Sequence, residues 1–435
     1  MIRVLVLSDL YPTAHRPDEG AFVWRMAKAL QADGFVRPTV VALRRVFPEW
    51  HLVRGALHGD WARTCRYYRH WKTHVPLASE VVVPGAFDRI CYTGLPRRVG
   101  QATWGRAAWW FGRKTLRSLH RQYQFDLVHA HFATASGRVA QLFSENGGPP
   151  FVLSIHGYEL AFTVERCPGG KKLVQKVIGA SRAVIVNSLR TREKVLALGG
   201  IDPDKVRLIY QGGEVDGSTA IRPYTNRSGP HELNVLTVGG LERQKGQEVV
   251  LRAVARLQRA GIPIRCTFVG DGNDRRRLRS LVRELNISDR VVFVGSISPQ
   301  EIGSYYAKCD AFVLPSWNEA FGVVYVEAMH FGKPLVGCTG EGGPEDLAAA
   351  GAGIVRIAKG DDAALSSILA EWARHPELAE QIGRKNQEIA RREYSWNRHA
   401  ERLAGLYEEI LKDFTPKSFG DAFLAARNVQ RSTSM

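Results

Sequence analysis

Residues 314–343, LPSWNEAFGVVYVEAMHFGKPLVGCTGEGG, decide the fold. An apolar strand over 310–314 stops at Pro315, and a polar loop carrying Glu319 follows. Residues 321–331 have helical spacing and end at Gly332, with Pro334 just beyond. A second apolar strand, 334–338, then runs into Gly340, Gly342 and Gly343. Strand, loop, helix and strand form one βαβ unit, and such units bind ligands at the carboxyl ends of their strands.

Gly322 stands where that helix begins, so the N–H groups of Gly322, Val323 and Val324 lack intrahelical partners. A helix start of this kind suits an anion, and glycine lets a phosphate approach closely. Glu327 follows about one turn later. A carboxylate beside a bound phosphate is repulsive unless it has another task, such as accepting hydrogen bonds from vicinal hydroxyls. Glu319, in the preceding loop, would do the same for a second polyol. The pair suits a ligand with sugar, phosphate and ribose in series. Two solvated surface acids are the alternative, and the glycine at the helix start weighs against it.

The same alternation extends outward. Strands are expected at 2–7, 39–43, 80–83, 126–130, 151–155, 183–187 and 206–210, with helices at 21–32, 103–122, 136–144 and 169–179 between them. Residues 216–231 are rich in Gly, Ser, Thr and Pro and read as a linker. A second series begins at 233–239, with strands near 264–269, 291–294, 311–314, 335–338 and 353–355 and amphipathic helices over 361–411. At 435 residues the chain has ample core for two such domains. The expected class is α/β, with two Rossmann-like doubly wound domains, 1–215 and 232–394, facing a central cleft. A terminal helix occupies 395–413, and the polar, basic 414–435 is expected to be disordered. Gly20 stands alone after the first strand, so the G-x-G-x-x-G dinucleotide fingerprint is absent.

Charge is uneven. The net charge is +17, and between residues 44 and 121 stand 15 Lys and Arg against four Asp and Glu, a net +11. Six of the ten tryptophans lie there too. Basic residues among tryptophans suit an anionic membrane surface, a lipid-linked anion, an anionic polysaccharide or nucleic acid. An arginine-rich solvated face over an aromatic core fits equally. The first strand follows Met1 directly, leaving no room for a leader, and no apolar run approaches the eighteen residues of a membrane span. The six cysteines form no C-x-x-C pair, which suits reduced thiols in the cytoplasm.

Other segments carry chemistry. Residues 239–246, GGLERQKG, follow a strand with a glycine turn, and Lys245 supplies a compact cation. His156 ends a strand of the first domain. His129 and His131, in DLVHAHF, read as packing residues, and Gly270-Asp271-Gly272 as a structural turn. The sole D-x-D spelling that draws notice, Asp202-Pro203-Asp204, lies in a helix-to-strand turn where it does not suit a metal-held diphosphate.

The pattern S-x-x-E-x-F-G-x-x-x-x-E-A-M-x-x-G-x-P over 316–334 resembles the donor-site signature of family-four retaining glycosyltransferases of the GT-B fold, in the cell-envelope, teichuronic-acid-type subgroup. The resemblance implies that Glu327 holds the ribose, Glu319 the sugar hydroxyls, and the helix start at Phe321, Gly322, Val323 and Val324 the diphosphate. Residues 239–246 resemble the family's G-R-L-x-x-x-K-G segment, whose Arg and Lys bind the diphosphate. Lys245 matches, Gly240 stands in place of the arginine, and Arg243 is the candidate substitute. By the same resemblance, Gly295 and Ile297 frame the base, Gly20 in the 17–20 loop approaches the donor phosphate and acceptor, and His156 lies near the transferred sugar. The terminal helix crosses back to the first domain.

The implied activity moves a sugar from a UDP- or GDP-linked donor to a lipid-linked or polysaccharide acceptor, without cofactor or metal, at the inner face of the membrane. A GT-B nucleotide-sugar epimerase is one alternative. A basic nucleic-acid-binding protein is another, disfavoured because the charge clusters outside the donor-like segment, so no nucleic-acid partner is expected.

Overall fold

A computed structural model describes residues 1–12, 19–46, 87–94, 100–215 and 232–412. The expected strand at 80–83, the linker and the tail lie outside the described residues.

The first sheet comprises β1 (Ile2–Ser8), β2 (Val36–Val46), β3 (Phe87–Thr93), β4 (Leu127–His131), β5 (Phe151–Ile155), β6 (Val184–Val186) and β7 (Val206–Leu208), in the order β3-β2-β1-β4-β5-β6-β7. The second comprises β8 (Leu233–Val238), β9 (Ile264–Val269), β10 (Val291–Gly295), β11 (Ala311–Val313), β12 (Leu335–Cys338) and β13 (Ile354–Ile357), in the order β10-β9-β8-β11-β12-β13. Every pairing between these strands is parallel. Near-continuous apolar runs such as Val4–Leu7 are buried because helices cover both faces. In each sheet the order reverses at the first strand, and a ligand crevice opens beyond the carboxyl ends at such a switch point.

Helices α1 (Ala21–Asp33), α2 (Trp104–Tyr123), α3 (Ala135–Glu145), α4 (Gly170–Ala180) and α5 (Leu189–Leu196) belong to the first domain. The second carries α6 (Gln247–Arg259), α7 (Arg275–Glu284), α8 (Ile302–Lys308), α9 (Val323–His330), α10 (Gly342–Ala349), α11 (Asp362–Arg374) and α12 (Pro376–Glu393). The chain then returns. Helix α13 (Trp396–Lys412) packs Trp396, Ala400, Leu403 and Tyr407 into one core with Val4, Val6, Val23 and Leu30 of β1 and α1.

Helix α5 was not expected, and among the strands β2 and β3 differ most from the sequence reading. Strand β2 runs over 36–46, beyond the expected 39–43, and tolerates Pro38 because pairing with β3 begins only at Val40. Strand β3 itself was not expected. It is an edge strand whose apolar residues are interrupted by Asp88 and Arg89, yet Ile90, Cys91 and Tyr92 are buried against the sheet. Among the described residues no helix is long and apolar enough to cross a membrane.

Candidate active site

The loops after β8 and β11 meet. Lys245 lies in a 3₁₀ turn, Arg243–Lys245, and the Trp317 N–H donates to the Gln244 carbonyl at 2.8 Å, tying the two loops together. Lys245 Nζ then donates to Glu319 Oε2 at 2.7 Å, and Ser316 Oγ donates to the same oxygen at 3.2 Å. Burial alone would raise the Glu319 carboxyl, but Lys245 and Ser316 outweigh it and hold it below its ordinary value. Burial alone would lower the Lys245 ammonium, but Glu319 first and Glu242 after it hold it above its ordinary value. Both therefore stay charged at neutral pH. The Glu319 N–H donates to Glu341 Oε2 at 2.9 Å, and Glu341 also pairs with Arg190 on α5, so this loop is fastened to the first domain.

Gly322 caps α9 with φ 75°, a left-handed conformation that disfavours other residues. A Cβ there would also lie 2.8 Å from the Tyr325 ring and 3.2 Å from Glu319 Cγ. The helix start is thereby kept bare while Glu319 sits beside it. One turn on, Glu327 is buried and accepts from the Tyr306 hydroxyl at 2.8 Å and from Arg25 Nη1 at 2.7 Å. Burial, with Glu327 second, pushes the Tyr306 phenol well up, so it remains a donor. Arg25 comes from α1, and its ion pair with Glu327 spans the two domains.

Beside that pair lies a cavity of about 600 Å³. The first domain lines it with Ala21 and Arg25, and the second with residues that include Gly239, Gly240, Ile297, Val324 and Glu327. Four sequence-derived candidates, Gly240, Ile297, Val324 and Glu327, thus share one wall. Gly295 ends β10, immediately before the wall residue Ser296. Gly20 caps α1 directly ahead of Ala21, with φ 74°, and a Cβ there would lie 2.5 Å from the Leu10 carbonyl carbon. Its glycine is required by packing as well as by conformation.

Other candidates stand apart. Phe321 is buried in the core, with its ring 5.6 Å from that of Tyr210. Val323 packs against the same core. Arg243 is exposed, and its charge acts on Asp274 beyond the cavity wall, so it does not occupy the place that Gly240 leaves.

His156 belongs to a different cluster. Its Nε2 is 3.1 Å from His131 Nδ1, and its ring centroid is 4.7 Å from that of Phe22. His131 stacks in turn on His129, at 4.3 Å between centroids. His129 is held by the Tyr407 hydroxyl at 2.6 Å and by Ser154 Oγ at 2.7 Å, a packing role. Burial pulls His129 and His156 down to about 3, and His131 well below its ordinary value. All three are neutral.

Sequence reasoning did not single out Arg25, Tyr306, Arg190, Asp9 or Glu159. Asp9 follows β1 and accepts from Thr134 Oγ1 and the Ser136 N–H, both at 2.8 Å, while burial raises its carboxyl. Its place at a strand end was the available signal. Burial pushes Glu159 up to about 7. Asp202 caps a turn by accepting from the Asp204 N–H at 3.0 Å, which accounts for the D-x-D spelling. Cys91, Cys167, Cys266, Cys309 and Cys338 are buried. Among the described residues no three His, Cys, Asp or Glu side chains converge as metal ligands would.

Comparison with known proteins assigns these two parallel-sheet domains to a family. The model described as Glycosyltransferase Family 4 matches residues 20–216, and that described as Glycosyl transferases group 1 matches residues 225–389. TuaC of Bacillus subtilis (strain 168), a glycosyltransferase named for teichuronic acid biosynthesis, is 26% identical over 352 residues, covering 80% of this chain and 83% of its own. A D-inositol 3-phosphate glycosyltransferase of Streptomyces bingchenggensis (strain BCW-1) is 25% identical over 366 residues, 78% of each chain. Sucrose-phosphate synthase from Thermosynechococcus elongatus superposes with a TM-score of 0.69 at 20% identity, over 95% of this chain and 100% of its own. Anabaena HepE, solved with UDP and glucose, superposes with a TM-score of 0.65 at 19% identity, over 94% and 100%. The chain belongs to the family-four glycosyltransferases and has the GT-B fold.

Proposed function

We propose that this protein transfers a sugar from a UDP- or GDP-linked donor to an acceptor hydroxyl, with retention at the anomeric carbon. The observation that carries this is the cavity between the domains, with Glu327 in its wall, Gly322 capping a bare helix start, and Lys245 paired to Glu319. The fold-mate HepE has been solved with UDP-glucose, which supports a nucleotide sugar as the ligand class. Glu327 accepts hydrogen bonds from the ribose diol, and Glu319 from the sugar. Lys245 and the N–H groups at the start of α9 stabilise the charge that grows on the diphosphate as the bond from the anomeric carbon to the phosphate oxygen breaks. The acceptor oxygen bonds to the same face of that carbon, and its proton passes to the departing phosphate. No protein nucleophile is assigned. His156 is the first-domain residue nearest in role to the transferred sugar. Lys245 takes the place of a divalent cation.

The acceptor in this reading is a lipid-linked or polysaccharide component of the cell envelope, met at the inner face of an anionic membrane. TuaC's name and the aromatic, basic surface of α2 support it. Thermal stabilisation across a panel of nucleotide sugars tests the donor assignment: a rise in Tm with one UDP- or GDP-sugar is expected. Stabilisation by none of them would overturn it.

A further inference from the structure

We propose that Arg25, on the second turn of α1, is the cation that the first domain supplies to the donor diphosphate, an assignment that rests on the donor reading above. Four ionisable side chains line the large cavity: Arg25, Glu242, Asp271 and Glu327. Among the described residues of that wall, Arg25 is the only cation. A diphosphate entering beside three carboxylates meets net repulsion unless a positive charge reaches it. Asp271 is already compensated by Arg275 at 2.6 Å, and Lys245, paired with Glu319, does not line this cavity. Arg25 is therefore the wall's one charge of the right sign.

The lining also has a gap at Gly240. A Cβ at Gly240 would meet only the Asp271 carbonyl oxygen at 3.8 Å and Glu242 Cγ at 3.9 Å, so a side chain has room there and none is present. Arg25 lines the same cavity from the other domain. In the unliganded protein its guanidinium pairs with Glu327 at 2.7 Å, which compensates a carboxylate whose side chain is only 10% exposed. When ribose hydroxyls take over Glu327, the fork of Arg25 is released, and its geometry matches a phosphate. Tyr306 still donates to Glu327 through the exchange. Arg25 thus serves two anions in turn.

Isothermal titration of the full chain with UDP, GDP, uridine and guanosine tests this, using wild type, Arg25→Gln, and Arg25→Gln combined with Gly240→Arg. The single variant should lose about tenfold to a hundredfold in affinity for the diphosphate that wild type binds. Affinity for the matching nucleoside should hold or improve, because Glu327 is freed. Gly240→Arg should restore most of the loss, which a folding defect would not allow. Unchanged or tighter diphosphate binding by Arg25→Gln would mean that Arg25 only locks Glu327, and would overturn the proposal. A parallel loss of diphosphate and nucleoside without rescue would overturn it too. If wild type binds neither UDP nor GDP, the donor reading fails first and takes this assignment with it.

Discussion

Lys245 Nζ stands 2.7 Å from Glu319 Oε2, so a lysine from the loop after β8 and a glutamate from the loop after β11 act as one electrostatic unit. The Glu319 carboxyl is held low, so its contribution to stability is present above the ordinary carboxylate pKa and lost as pH falls through the depressed value. The Lys245 ammonium is held high, so its contribution is present below the ordinary lysine pKa and lost as pH rises through the raised value. The pair is intact throughout the neutral range. Lys245→Met should leave Glu319 short of its main partner and cost about 1–3 kcal/mol, read as a lowered Tm. Activity should fall and not return with magnesium or manganese. Wild-type turnover should persist in chelator; turnover that vanishes there and returns with either ion would overturn the metal-free reading.

Glu327 and Glu319 should separate in their effects. Glu327→Ala should weaken free nucleotide by about 1.5–3 kcal/mol, the cost of losing hydrogen bonds to a charged group. Glu319→Ala should spare nucleotide binding and lower turnover. Titration with free nucleotide and steady-state rates on the same two variants decide it, and equal losses in both would show the roles to be wrongly divided.

How much of this was legible depended on the sequence distance of each contact. The βαβ unit at 311–338 declares itself because apolar runs give way to helical spacing and then a glycine stop, all within thirty residues. Its helix begins at Val323, two residues inside the expected start, since Gly322 is the cap. Arg25 and Glu327 are 302 residues apart, and no local pattern links them. The histidines show the same limit. His129 could be read as packing, but the contact of His131 with His156 arises only because β4 and β5 pair with His131 opposite Ser154. Strand β3 was hidden for another reason: pairing on one side only relaxes the demand for a continuous apolar run.

Buried neutral histidines should make the protein sensitive to acid. Burial holds His129 and His156 near about 3, His330 and His399 near about 4, and His131 lower than its ordinary value. Each depressed imidazole contributes stability that is present above its ordinary pKa of 6.5 and lost as pH falls below it, at up to about 1.4 kcal/mol per pH unit. Glu159, raised to about 7, and the raised Asp9, Glu214 and Asp346 act in the opposite sense, because the fold favours their protonated forms. With His120, also lowered by burial, six depressed imidazoles outnumber four raised carboxyls, so Tm should drop between pH 7 and pH 5. His131 Nε2 is buried without a hydrogen-bond partner, so His131→Phe removes a titrating group, keeps a ring to stack on His129 and loses the hydrogen bond to His156. Its Tm should fall less over the same interval. Parallel Tm–pH curves for the two proteins would refute this.

Among the described residues, helix α2 presents a surface of the kind that would suit an anionic bilayer. Trp104, Ala108 and Leu116 are buried in the first domain's core, while Trp110 is 61% exposed and Phe111 41% exposed on the outer side. The helix carries Arg106, Arg113, Lys114, Arg117 and Arg121 and no acidic residue. Arg113 lies 5.8 Å from the Trp110 ring centroid, so cation and indole present one amphipathic edge. Each basic residue near an anionic surface contributes about 1 kcal/mol, weakening with salt, and the indole suits the headgroup layer. Replacing Trp110 and Phe111 with Ser, and Arg113 and Lys114 with Glu, should therefore lower cosedimentation with phosphatidylglycerol-containing vesicles. Binding to neutral phosphatidylcholine vesicles should be weak before and after. Hydrolysis of donor without acceptor should continue at the wild-type rate, because none of the four residues lines the cavity. If vesicle binding is unaffected while donor hydrolysis fails, α2 serves the fold and the membrane reading falls.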